Sequence, residues 1–198
     1  IVNIRRAACA TLLIAATTTA CAGTGSDDGQ QPTTAAQAGG TPTASATAKG
    51  SALRLGSGHH WSDTDLDGSH ISGTTTVVGY TQPAEGVHLG DEVSHFPHPV
   101  WAVLDVKVCA DEDSTNVLVA QQPWQLGFPD GTRVAAPLIS GAGVPGPEYP
   151  VDGDLVRPGT CLRGKITFSV EKGTRPDRIV YGPEGRDPVQ WAVPEPRK

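Results

Sequence analysis

Asp63, Asp65 and Asp67, followed by Gly68, spell D-x-D-x-D-G, the opening half of a calcium loop in which alternate carboxylates converge on one hard cation. The second half is missing: the twelfth position, where a bidentate Glu belongs, is Thr74, and the flanks are not helical in pattern. A solvated acidic turn is expected there, with a weak calcium site as the sharper alternative. All six histidines, His59, His60, His70, His88, His95 and His98, are crowded between residues 59 and 98. The H-x-x-H spacing of His95 and His98 suits two imidazoles on a zinc or copper ion. Pro97 and Pro99 preclude a helix through that motif, and no Cys or Met stands nearby to complete a soft site, so a polar loop with incidental histidines is expected.

Catalytic signatures are absent. There is no G-x-S-x-G, no H-E-x-x-H and no phosphate-binding P-loop, so the usual groups for acyl transfer, zinc hydrolysis and nucleotide chemistry are lacking. Glu148, in the loop GVPGPEYP, has no evident second carboxylate with which to cleave a glycosidic bond. The expectation is a protein that is not an enzyme and carries no cofactor. With a formal charge of −6 and no basic run, a nucleic-acid partner is also excluded, because phosphate neutralisation needs clustered Lys and Arg.

The elements that would position these residues fall into three parts, and the first is a targeting segment over residues 1–20. Arg5 and Arg6 precede a short apolar stretch, AACATLLIAA, too short to span a bilayer. Small residues then lead to Cys21. This arrangement resembles a bacterial lipoprotein signal peptide and lipobox, apart from Thr18 where that motif usually has Leu. The resemblance implies that Cys21 becomes the acylated first residue of an envelope protein anchored to the outer face of the membrane. Ala20-Cys21-Ala22 also fits an ordinary secretory cleavage site, which would discard Cys21 and release the protein.

Residues 21–72 form the second part, expected to be a disordered tether. From 22 to 50 the chain is dominated by Ala, Gly and Thr, with no large aliphatic or aromatic side chain to offset the entropy of ordering. An acidic mature chain would be repelled by anionic lipid, so acyl chains must supply the membrane attachment.

The third part, residues 73–198, reads as all-β. With 24 Gly and 17 Pro in 198 residues the chain cannot be a helical bundle. Short β-rich runs at 74–81, 99–109, 116–121, 123–128, 132–138, 160–170, 177–182 and 188–193 are separated by Gly, Pro, Asp and Asn. In the second run Val100, Ala102, Leu104, Val106 and Val108 share one face. In the sixth, Leu162, Ile166, Phe168 and Val170 do so, the opposite faces being largely for solvent. Phe128-Pro129-Asp130-Gly131-Thr132 predicts a hairpin. Asp105 faces outward, as a cross-strand partner of a basic residue such as Lys165. Trp124 and Trp191 are expected in the core, whereas Trp101 lies on the outward parity and is the candidate binding-surface residue. Cys109 and Cys161, exported to an oxidising exterior, are expected to form a disulfide between adjacent strands near a sheet edge, with a redox-active thiol as the alternative.

The segments WAVLDVKVC, PWQLGFPDGTRV and RPGTCLRGKITFSV resemble the immunoglobulin-like domain of unknown function found in actinobacterial exported lipoproteins. That resemblance implies an antiparallel immunoglobulin-like β-sandwich of about 7–8 strands with a disulfide between Cys109 and Cys161. It carries no catalytic or binding residue to transfer. The functional expectation is therefore a non-catalytic binding module in the cell envelope, recognising an envelope protein or a glycan, with a calcium-, zinc- or copper-binding lipoprotein as the alternative.

Overall fold

Alternation dominates the two longest apolar runs, and both become long strands of one sheet. In the computed structural model, which describes residues 51–94 and 96–196, β3 (Val100–Ala110) turns Ala102, Leu104, Val106 and Val108 inward, with exposures of 0–1%. The targeting segment, Cys21, the tether up to residue 50 and His95 lie outside the described residues.

Ten strands are present among the described residues. In chain order the others are β1 (Gly58–Thr64), β2 (His70–Thr81), β4 (Val117–Val119), β5 (Trp124–Gly127), β6 (Arg133–Ala135), β7 (Asp154–Val156), β8 (Cys161–Val170), β9 (Arg178–Tyr181) and β10 (Val189–Ala192). One sheet has the order β1-β2-β3-β8, a second β10-β9-β5-β6, and β4 and β7 pair as a separate ribbon. Every strand pair is antiparallel. The chain is an antiparallel immunoglobulin-like β-sandwich, its core formed by Leu104, Val106, Ile166 and Phe168 of one sheet and Trp124, Leu126, Ile179 and Trp191 of the other. Trp124 is the aromatic centre, its ring 4.7 Å from that of Tyr181, 6.0 Å from Trp191 and 6.4 Å, edge-on, from Tyr149.

The eight expected runs are all strands, and the hairpin at Phe128–Thr132 joins β5 to β6 with Gly131 at φ +89°. Two strands were not anticipated, and β1 moves the domain boundary. The sandwich does not begin at residue 73: residues 58–72, expected in the tether, supply β1 and the start of β2. Further upstream, Leu53 pairs in parallel with Trp191, donating its N–H to Gln190 O and accepting from Ala192 N. Leu53, Leu55 and Trp61 all pack against the core, which offsets the ordering entropy that the Gly/Ser/His-rich sequence around them could not.

Two details of the outer face also differ from expectation. Asp105 stands opposite Lys165 in register, yet its carboxylate takes a two-pronged contact from Arg163, Nε to Oδ1 at 2.9 Å and Nη2 to Oδ2 at 2.6 Å. The planar guanidinium matches both carboxylate oxygens, as a lysine cannot. Lys165 instead donates to Gly146 O. Thr167 and Ser169, on the expected solvent face of β8, are only 1–2% exposed. The β2–β3 connection crosses this end of the sheet, bonding to β3 through Ala84 N and Trp101 O and to the β6–β7 connection through His88 N and Gly143 O.

Cys109 and Cys161 are bonded, and their positions are register partners on the adjacent strands β3 and β8, with β8 at the sheet's edge. The disulfide thus joins neighbouring strands rather than crossing the core.

Candidate functional site

Where β1 and β2 turn at one end of the sandwich, the ribbon of β4 and β7 stands against the core instead of completing either sheet. Val117 and Val119 point inward and are 3–6% exposed, while Leu118 between them points out, the alternation that a strand imposes. A cleft of about 220 Å³ opens beside this ribbon. Its apolar wall comes from Trp61, Ile71, Val108, Val117, Val119 and Tyr181. Its rim is polar: Asp65 from the β1–β2 turn, Asn116 ahead of β4, and Glu184 and Arg186 from the β9–β10 connection.

The rim is organised by Arg186. Its Nε lies 2.6 Å from Asp63 Oδ2, and its guanidinium carbon sits 5.9 Å from the centre of the Trp61 ring. Trp61 is fixed in turn by its indole N–H, which donates to Thr75 Oγ1 at 3.0 Å. One cation therefore faces both a carboxylate and an aromatic ring, which orients the indole at the mouth. Inside, burial pushes the Tyr181 hydroxyl above its ordinary pKa, so it is a neutral phenol in the cleft wall at physiological pH.

The other candidates do not meet in a site. Asp63 is engaged by Arg186, Asp65 accepts from the N–H of Leu66, and Asp67 accepts from the N–H of Ser69. That last contact closes an Asx turn, and the Ser69 hydroxyl first, then this N–H, hold the Asp67 carboxyl below its usual range. His98 pairs with Asp91 at 3.3 Å on an exposed loop. Among the described residues no group of three or more His, Cys, Asp or Glu side chains is arranged to hold a metal ion. Trp101 is half-buried on the outward parity of β3, whereas Val108, which lines the cleft, is on the inward parity.

A second polar group lies at the same end of the molecule. His60 Nε2 is 2.9 Å from Asp111 Oδ2, and this contact is the largest of the causes that hold the Asp111 carboxyl below its usual range. Serine, histidine and aspartate are all near, but the imidazole bonds the carboxylate, and the buried Ser72 hydroxyl has no hydrogen-bond partner. A nucleophilic triad needs the imidazole in the middle, to take the hydroxyl proton. This group ties β1 to the end of β3.

Two shallower troughs of about 300 Å³ each lie on the outer face of the first sheet, with Lys165 common to both. Their basic groups are already occupied, Arg163 by Asp105 and Lys165 by Gly146 O.

None of the residues of the inter-sheet cleft was read from the sequence as a site residue except Asp65, and that for a different chemistry; Val108 was read only as core. Trp61 stands among His, Ser and Asp with no apolar neighbour, and Glu184 and Arg186 sit in a Gly/Pro-rich stretch. No linear pattern marks residues that converge only through a sheet-to-sheet crossing.

No protein-family model matches the chain, and no curated protein matches it. Among solved structures, it is similar to the 1.5 Å crystal structure of a secreted protein from Mycobacterium tuberculosis, MPT63. The two are 22% identical, with a TM-score of 0.53, over 71% of this chain and 95% of that one. At this level of identity the likeness is one of fold.

Proposed function

We propose that this chain is a non-catalytic binding module of the cell envelope, displayed outside the membrane and anchored through an acylated Cys21. The cleft beside the β4–β7 ribbon carries the reading. It is an opening onto core side chains, framed by a salt-bridged arginine and two carboxylates, with no adjoining nucleophile and base in reactive order among the described residues. The disulfide, the leader-like run from Arg5 to Cys21 and the likeness to a secreted protein support a location beyond the membrane.

Two measurements test it. Mass spectrometry of the mature N-terminus is expected to find a thioether-linked diacylglycerol on Cys21, and an unmodified terminus recovered from the medium would make the protein secreted rather than anchored. Affinity capture from envelope extract with the full chain is expected to yield a partner displaced by excess untagged protein. If nothing saturable is captured, or if purified protein turns over ester, peptide or glycoside substrates, the binding-module reading fails.

A further inference from the structure

We infer that the cleft is an anchor pocket for one apolar side chain of a basic polypeptide segment; this rests on the binding-module reading and assigns its ligand class. At about 220 Å³ the space is below the roughly 300 Å³ at which sites for whole small molecules begin, and is of the order of one large side chain. Its floor is Val108, Val117 and Val119, all at most 6% exposed. These three side chains offer a polar insert no partner, so an apolar group is favoured against them, the polar contacts coming from Asn116, the Tyr181 hydroxyl and the charged rim.

The mouth extends the apolar surface. Leu118, on the cleft's edge, is 70% exposed, and its register partner Leu155 on β7 is 54% exposed. A single exposed leucine is ordinary. Two leucines facing each other across a ribbon, beside an open cleft, make a contiguous patch suited to the residues flanking an anchor.

Charge selects the kind of polypeptide. Arg186, the cation of the rim, is neutralised by Asp63. Glu184 and Asp65 have no ionic partner among the described residues, and they come from separate loops lining the mouth. An apolar residue flanked by Lys or Arg would place positive charge beside both. The chain's own net charge of −6 works against a second copy as occupant and favours the approach of a basic segment.

The test is a titration of the isotopically labelled full chain, followed by NMR, with four synthetic probes: acetyl-Lys-Phe-Lys-amide, acetyl-Glu-Phe-Glu-amide, acetyl-Lys-Gly-Lys-amide and acetyl-Phe-amide. The first is expected to shift the Trp61 indole and the Val117 and Leu118 amides, binding at least tenfold more tightly than the other three. The double variant Asp65→Lys, Glu184→Lys, at two exposed rim positions, is expected to abolish that preference while leaving the spectrum of the core unchanged. Equal binding of the acidic peptide, or of the glycine peptide, overturns the proposal. So does binding of acetyl-Phe-amide as tight as that of the basic peptide, which would assign the cleft to a small apolar ligand. Cleft shifts that depend on protein concentration alone would assign it to a second copy and also overturn it. No cleft shift with any probe at millimolar concentration ends the proposal, while a saturable partner in the capture experiment would still stand and would have to bind elsewhere.

Discussion

Cys109 and Cys161 face each other across β3 and β8 with their Cα atoms 4.0 Å apart, at the last of ten register pairs that join the two strands. The covalent link therefore closes a ladder that hydrogen bonds already hold in register. Its contribution is to the unfolded chain, where it removes a long loop's worth of conformations, rather than to the geometry of the fold.

With the two cysteines 52 residues apart, the chain-entropy argument gives about 4 kcal/mol for this closure. The Cys109→Ser, Cys161→Ser double variant is expected to lose about that much stability in urea, with a native-like circular dichroism spectrum before unfolding. A loss below about 1 kcal/mol would show that the reduced chain keeps β3 and β8 together when unfolded.

Gly164, on β8, is where another segment crosses at close range. A Cβ there would stand 2.6 Å from Tyr149 N and 2.7 Å from the Glu148 carbonyl carbon, both backbone atoms. Gly164→Ala must push the 147–149 segment off the sheet edge, and a loss of about 1–3 kcal/mol is expected, in the range of overpacked cores. Hydrogen exchange should rise at Tyr149 and Lys165, whose amides hold that crossing. By contrast Asp105→Ala, which breaks an exposed ion pair, should cost under about 1 kcal/mol.

Starting the chain at residue 73 removes Leu53, Leu55 and Trp61 from the core margin, together with β1. Such a chain is expected to be at least about 3 kcal/mol less stable than one starting at residue 51, given ~1.5–3 kcal/mol for each large apolar side chain fully buried. Equal melting temperatures would show that the sandwich is complete without its first strand.

Acid sensitivity follows from three carboxylates held below their ordinary value. Asp67 is held by Ser69, Asp111 first by His60, and Asp130 first by the Thr132 backbone N–H. Each titrates lower in the folded chain than an ordinary carboxylate of the unfolded one. The stability they contribute is therefore fully present above about pH 4 and is lost as the pH falls through the folded values. Between about pH 4 and pH 2, the triple variant Asp67→Asn, Asp111→Asn, Asp130→Asn is expected to show a flatter stability profile than the parent chain. An unchanged slope would mean that other groups govern acid unfolding.

What was legible in the sequence was the alternation. The inward apolar residues of β3 keep period two from Val100 to Val108, and those of β8 keep it apart from Gly164, although Thr167 and Ser169 on the other face of β8 are buried as well. β1 was illegible because GHHWSDT has a single large apolar residue, and its inward positions His59 and Asp63 are only half-buried. β7, three residues long, carries too little pattern to be seen. Pairing across a sheet was foreseen for Asp105, but the choice between Arg163 and Lys165 depended on where loop carbonyls lie, and Gly146 O took the lysine. The cleft was hidden for the same kind of reason. Its residues come from both sheets and the ribbon, and only the crossing of the chain brings Trp61 to Tyr181.

The parallel pairing of Leu53 with Trp191 has a mechanical consequence. Any pull transmitted through the chain ahead of Ser51 arrives first at the two hydrogen bonds that Leu53 makes with Gln190 O and Ala192 N, and at the indole N–H of Trp191 on Ser57 O. Those contacts stand between the chain ahead of Ser51 and β1, so they are the first to be broken, before that strand is drawn from its neighbour. A domain hung from that side would meet drag or tension with its first strand still in place, and with it Trp61 and Asp65, the residues that β1 and its turn bring to the cleft.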